Sequence, residues 1–360
     1  MGLDARSDGT GLTRVSPRQR DESDFHARPS RRGSRPRTKQ RPEHADAERG
    51  LVTGVDRGRY TLLLDEDGPD ERIVTAMKAR ELTRSRVVCG DAVDVVGDTS
   101  GDDGSLARIV RIAERVSVLR RTADDTDPYE RIVVANADQL VVVTALADPE
   151  PRPRMIDRCV VAAYDAGMDV LLCLTKSDLA SPDALLALYE PLGVQVVVTR
   201  RDDAGGVPAA DAVRDRLRGR TSVLVGHSGV GKSTLVNALV PGAARATGRV
   251  NDVTGRGRHT STSAVALRLP DRDGWVIDTP GVRSFGLAHV EPATILAAFD
   301  DLAEAAAECP RGCTHLEDAP DCELDTWVAA VTDDAAEHTW RARRLDSFRR
   351  VLAARTGAPE

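Results

Sequence analysis

Apolar and polar positions alternate in short runs between residues 51 and 118. Examples are Leu51-Val52-Thr53-Gly54-Val55, Tyr60-Thr61-Leu62-Leu63-Leu64 and Arg72-Ile73-Val74-Thr75-Ala76, followed by runs at 91–96 and 107–112. Asp/Gly-rich turns at 65–70 and 97–104 separate them. Five short strands over about seventy residues predict a small β-barrel, of which the OB-fold is the commonest type; an SH3-like barrel leaves a similar trace. From residue 132 the alternation gives way to unbroken β-branched runs at 140–144, 170–174, 194–198 and 222–225, with a further one at 275–277. Such runs are the mark of parallel strands buried on both faces. Helical stretches at 154–166, 183–189 and 209–217 lie between them, which predicts a doubly wound α/β domain. Beyond 291 the chain turns helical, is interrupted by a cysteine cluster, and closes in an arginine-rich helix over 340–355. On that helix Trp340, Leu345, Phe348 and Leu352 share one face, with Arg343, Arg344 and Arg350 elsewhere.

The expected organisation is therefore multidomain: an arm over 1–48, a barrel over 49–118, an α/β domain over 130–290 and a helical domain over 291–360. Composition changes this picture only at the N-terminus. A chain of 360 residues, 41% apolar and 30% charged, is ordinary for a globular protein. It has no apolar run of transmembrane length, and residues 1–10 lack the apolar centre of a secretory signal, so a cytoplasmic protein without a membrane partner is expected. The net charge of −7 conceals Arg28, Arg31, Arg32, Arg35, Arg37, Lys39 and Arg41, which follow one another without an acid among prolines, serines and a glycine. Such a stretch cannot bury enough apolar surface to fold. It reads as a disordered basic arm, either a solvated tail or a binder of nucleic-acid phosphates.

Only four of the fifty basic residues are lysines, and two of them, Lys176 and Lys232, fall in motifs of a guanine-nucleotide site. Gly226-His227-Ser228-Gly229-Val230-Gly231-Lys232-Ser233 is a full GxxxxGK[ST] loop after a predicted strand; Thr234 continues into a predicted helix. Its backbone amides would cradle phosphates, Lys232 would reach the β and γ groups, and Ser233 would ligate magnesium. Asp278-Thr279-Pro280-Gly281 closes the 275–277 strand as a DxxG element does, with Asp278 toward magnesium and the Gly281 amide toward the γ-phosphate. Thr175-Lys176-Ser177-Asp178 ends another strand and is close to NKxD, where Asp178 would accept from the guanine N1 and N2 donors. Thr175 replaces the usual Asn and can still brace the loop. Asp178 precedes Lys232 in the chain, the reverse of the ordinary GTPase order, so the α/β domain is expected to be a circularly permuted P-loop GTPase fold.

Cys309, Cys313, His315 and Cys322 lie within fourteen residues. In a reducing compartment this spacing predicts one structural, tetrahedral zinc site rather than disulfides. Cys89, Cys159 and Cys173 fall in apolar contexts and read as core residues.

On these motifs and their order, from about residue 51 to the C-terminal helix, the chain resembles the ribosome small-subunit-dependent GTPases, the RsgA or YjeQ family. The resemblance implies an OB-fold, a permuted GTPase domain and a zinc-binding C-terminal domain. It also implies hydrolysis of GTP to GDP, stimulated by the small ribosomal subunit in its late maturation, with subunit and rRNA as partners and the protein a monomer. The 255–262 segment, Gly-Arg-Gly-Arg-His-Thr-Ser-Thr, looks like the family's first switch, with Ser261 in place of a threonine, so the magnesium-sensing hydroxyl is Thr260 or Thr262. Val282 stands where Ras-like enzymes place a water-orienting Gln, and His259 is the nearest candidate to take over that role. The family's zinc spacing is CxxxxCxHxxxxxC; this chain is one residue shorter in the first gap and one longer in the last. The arginines of the closing helix could touch rRNA. Two other readings stand beside this one: a permuted GTPase of large-subunit assembly, and an RNA-binding module with a non-hydrolysing nucleotide pocket.

Overall fold

The computed structural model describes residues 44–355 apart from 84, 123–128, 203–205, 208, 244–263, 280–284 and 288. The basic arm up to residue 43 lies outside the described residues, as do Gly281, Val282 and the 255–262 segment.

The alternating runs form five strands: β1 (Glu48–Asp56), β2 (Arg59–Leu64), β3 (Arg72–Lys78), β4 (Ala92–Gly97) and β5 (Ala107–Ile112). They pair in the order β1-β2-β3-β5-β4, and a β1–β4 pairing closes the circle into an OB-like barrel. Closure works because β1 is long and irregular between Val52 and Gly54, so one stretch serves β2 and β4 together. Period-2 alternation turns Val52, Leu62, Val74, Val93 and Ile109 inward, all with no exposure.

A hairpin of β6 (Val118–Arg121) and β7 (Arg131–Ala135) follows, which sequence patterning did not anticipate. Bridges Cys89↔Val134 and Thr122↔Gly286 stitch it to the barrel side and to the α/β side. The α/β domain contains β8 (Gln139–Ala145), α1 (Pro153–Asp165), β9 (Asp169–Thr175), α2 (Asp183–Tyr189), β10 (Gln195–Val198), α3 (Ala210–Leu217) and β11 (Thr221–Val225). After these come α4 (Lys232–Leu239), β12 (Val265–Arg268) and β13 (Trp275–Asp278). The strands run β10-β9-β8-β11-β13-β12, all parallel except β12. All seven residues of β8 are buried, as its unbroken apolar run requires. β12 also pairs with β1 through Gly54↔Val265, so barrel and α/β sheet are one continuous surface.

Four helices complete the described chain: α5 (Pro292–Leu296), α6 (Asp300–Ala305), α7 (Glu323–Ala329) and α8 (Ala335–Ala354). Phe299 sits edge-on between Tyr164 of α1 and Phe348 of α8, at 5.3 and 5.5 Å, within the core that also packs under the α/β sheet. The last helix begins earlier than the expected residue 340, because the Asp334 carboxylate accepts from the amides of Ala336 and Glu337 at 2.9 and 3.0 Å and caps it. Leu345, Phe348, Val351 and Leu352 form its buried face; Trp340 instead is 44% exposed. Arg344 and Arg350 are engaged within the chain. Arg344 Nη2 donates to Asp301 Oδ1 at 2.6 Å, and Arg350 Nε donates to Asp157 Oδ2 at 3.1 Å.

Candidate nucleotide and metal sites

Parallel strands bring their C-terminal ends to one edge of the sheet, and strand order reverses between β8 and β11, where such sheets open a crevice. The loop after β11, the segment after β9 and Asp278 at the end of β13 therefore share that edge by topology. The loop's shape follows from its glycines. A Cβ at Gly226 would lie 2.4 Å from the Val143 carbonyl oxygen, and Gly231, with φ +91°, sits just ahead of α4 in the left-handed region. Leu235 N donates to Gly231 O at 2.9 Å, which starts the helix, while Ser228, Gly229 and Ser233 face solvent. A glycine-bent loop running into a helix start is the kind of backbone that suits an anion.

Side chains knit the loop to its neighbours. Lys232 Nζ forms an ion pair with Asp278 and donates to the Thr279 carbonyl at 2.9 Å. Thr279 Oγ1 donates to the Leu224 carbonyl at 2.7 Å, fixing the end of β13 against β11. Thr175, buried, donates from Oγ1 to the Val230 carbonyl at 2.6 Å, so the last residue of β9 holds the loop after β11. Lys176, with φ +60°, donates from Nζ to the Asp148 carbonyl. Asp178 stands exposed one turn further on.

Two flanking segments carry no sequence motif. The stretch after β8 brings Asp148 to Lys176 and places Arg152 Nη1 3.4 Å from His227 Nε2. The stretch after β10 meets the segment after β9 where Ser177 N donates to Thr199 O at 3.2 Å. The strand-end rule, applied to every parallel strand instead of only those ending in a motif, would have found both. The expected roles of Gly281, His259, Thr260 and Thr262 fall outside the described residues.

Between α6 and α7 the ligand atoms of Cys309, Cys313, His315 and Cys322 lie within 4.8 Å of one another. His315 Nδ1 is 3.7 Å from Cys309 Sγ and 3.8 Å from Cys322 Sγ. Metal–sulfur bonds of about 2.3 Å and metal–nitrogen bonds of about 2.0 Å in a tetrahedron demand edges of this length, so the donor set fits zinc. Burial, aided by the Arg349 charge, lowers the His315 pKa and favours the neutral ring a metal takes. Burial pushes the Cys322 thiol up to about 11, so a thiolate there calls for a cation. His315 itself has φ +56°, and Arg349 of α8 holds it by donating from Nε to its carbonyl at 3.1 Å while gripping Asp325 at 2.9 and 2.8 Å. Cys89, Cys159 and Cys173 are buried with thiols pushed to about 12, as core residues should be.

Comparison with known proteins agrees with this architecture. The RsgA GTPase family matches residues 112–288. A small ribosomal subunit biogenesis GTPase RsgA of Marinobacter nauticus is 38% identical over 251 residues, covering 68% of each chain. The protein of that name from Chlorobaculum parvum is 32% identical over 309 residues, 83% of this chain and 97% of the relative. Among solved structures, YjeQ from Thermotoga maritima superposes with a TM-score of 0.58 at 23% identity, covering 84% of this chain and 98% of that one. YloQ, a circularly permuted GTPase, gives 0.56 at 20% identity, with 86% and 97% covered.

Proposed function

The chain belongs to the RsgA GTPase family of GTP hydrolases, and from that premise we propose that it serves biogenesis of the small ribosomal subunit, which stimulates its turnover. The observation that carries this reading is the meeting, on one edge of a permuted sheet, of a phosphate loop, a base-reading segment and Asp278. In this reading residues 226–234 bind the phosphates, with Lys232 neutralising charge that builds on them during transfer. Ser233, Asp278 and Thr260 or Thr262 are hard oxygen donors suited to magnesium, which when bound supplies charge neutralisation on the β- and γ-phosphates. Thr175 and Lys176 position the segment from which Asp178 reads guanine. Val282 cannot orient water, and we assign that role to His259. We infer that His259 alone turns GTP over slowly and that the small subunit supplies the speed.

The flanking modules suit that partner. On the outer barrel face Met77 lies opposite Arg59 and Arg108, with Ile73 further along β3; Ile73 and Met77 are 65% and 40% exposed. Apolar side chains among arginines suit stacked bases and phosphates of rRNA. The basic arm adds sequence-independent phosphate affinity. A structural zinc in the Cys309, Cys313, His315 and Cys322 cluster would fasten α6 to α7. No described helix is long and apolar enough to cross a membrane, and we place the protein in the cytoplasm as a monomer. GTP hydrolysis measured alone, with purified small subunits and with large subunits tests the assignment. Stimulation by small subunits only is expected; equal stimulation by both, or by neither, would overturn it.

A further inference from the structure

The β12–β13 ribbon links the barrel to the nucleotide edge in one register. Gly54 of the barrel pairs with Val265, Val265 with Asp278, and Asp278 with Leu224 of β11. The barrel thus reaches the carboxylate that grips Lys232 across two strand pairings. The opposite end of the same ribbon is held by charge. Arg268 reaches Asp67 at 2.6 Å and Glu71 at 3.0 Å, both on the β2–β3 turn of the barrel. Arg272 reaches the same two carboxylates at 3.1 and 3.0 Å, and Trp275 Nε1 donates to Glu66 at 2.8 Å. The arginines at Asp67, led by Arg272, and the Asp67 amide at Glu71, 2.9 Å away and aided by both arginines, hold the two carboxyls below the usual carboxylate range.

An isolated surface ion pair orders little. Here two arginines share two acids, and the Arg268 side chain, only 17% exposed, lies with its guanidinium carbon 5.4 Å from the Trp275 ring centre. Barrel and ribbon are therefore joined at both ends, by backbone at Val265 and by charge around Arg268. A ribbon held at two points turns with the barrel as a body. Its strands border the catalytic edge: β13 ends at Asp278, and β12 begins just after the stretch that carries Thr260 and Thr262.

We propose that Arg268 and Arg272 are positioning residues for stimulated GTP hydrolysis, transmitting engagement of the barrel by the ribosomal subunit to the β12–β13 ribbon and Asp278. This rests on the proposed stimulation by small subunits. Neither arginine touches the nucleotide edge, so their loss should separate stimulated from basal turnover. In the full-length protein, Arg268→Ala/Arg272→Ala should leave basal hydrolysis and fluorescent GDP binding within about twofold of wild type, and lower turnover at saturating small subunits about tenfold. The milder Glu71→Gln should fall between, and Arg268→Lys should recover part of the response. A shared loss of basal and stimulated rates, in the same ratio, would mark a merely structural role and overturn the proposal. So would double-variant stimulation equal to wild type. A wild-type protein that small subunits do not stimulate would sink the functional reading as well, which distinguishes that failure from failure of the junction alone.

Discussion

Thr175 and Val230 join the two halves of the candidate nucleotide site: the Thr175 hydroxyl donates to the Val230 carbonyl at 2.6 Å in a nearly buried position. The two bonded residues are 55 apart in the chain, and this bond fixes the spacing of the segment after β9 and the loop after β11. Thr175→Val keeps the shape and removes the donor, leaving the carbonyl unpaired at a cost of about 1–2 kcal/mol. Nucleotide affinity should drop about tenfold in a fluorescent-GDP titration, with Thr175→Ser close to wild type. Unchanged affinity in Thr175→Val would show that the loops hold their spacing without the bond.

Lys232→Ala and Ser233→Ala should each lower GTP hydrolysis by about 100-fold or more, since each removes a group proposed to stabilise phosphate charge. Lys232 also pairs with Asp278, both side chains partly exposed, so the fold should survive its loss. Circular dichroism alongside a phosphate-release assay checks both halves. Wild-type turnover in either variant would place the chemistry elsewhere.

If Asp178 reads guanine, Asp178→Asn should weaken GTP binding and favour xanthosine triphosphate, whose ring offers an acceptor where guanine offers a donor. Asp178 is exposed at the strand end, available to a base. A competition titration in which the variant still prefers GTP would assign base recognition to another group, with the Thr199 segment next in line.

Much of this architecture could be read from local pattern, because alternation, unbroken apolar runs and the phosphate loop each have a local physical cause. The parts that escaped are those whose cause is distant or brief. β12 and the β6–β7 hairpin are set by pairing more than by pattern: β12 owes its place to both β13 and the barrel, and β6, half arginine, to β7. Arg344 and Arg350 looked like a solvated back; their partners Asp301 and Asp157 lie 43 and 193 residues away, beyond any spacing rule. The early start of α8 was legible after all. Asp334 with Glu337 three positions on is a capping pattern.

One zinc per chain is expected by metal analysis, and Cys313→Ser or Cys322→Ser should abolish it. Because Arg349 links the His315 carbonyl to Asp325, metal loss should also loosen α7 and the C-terminal half of α8. Hydrogen exchange would show that loosening confined to the helical domain, with the barrel unchanged. Acid should release the metal, since protons compete for thiolates and for the ring nitrogen. Absence of zinc in protein purified without chelator would overturn the assignment.

The pair Asp157 and Arg350 supplies a pH-dependent test of how the last helix is held. Asp157 is 1% exposed; its Oδ1 accepts from the Tyr189 hydroxyl at 2.9 Å and its Oδ2 from Arg350 Nε at 3.1 Å. Burial raises its pKa, and Arg350 pulls it part of the way back. A raised carboxyl binds more protons folded than unfolded, so its contribution to stability is greatest in acid and is lost as pH rises through the folded pKa. Arg350→Ala removes the compensating charge and pushes that pKa higher still. At neutral pH the variant should lose about 3 kcal/mol, because a buried carboxylate loses the guanidinium bonded to it. Near pH 5 the loss should shrink as the carboxyl takes up a proton. Denaturant titrations at both values test the slope, and Arg350→Ala/Asp157→Asn should show little of it. A loss independent of pH, and unchanged by Asp157→Asn, would mean that Arg350 acts through packing on Tyr189, whose ring centre lies 5.0 Å from its guanidinium carbon.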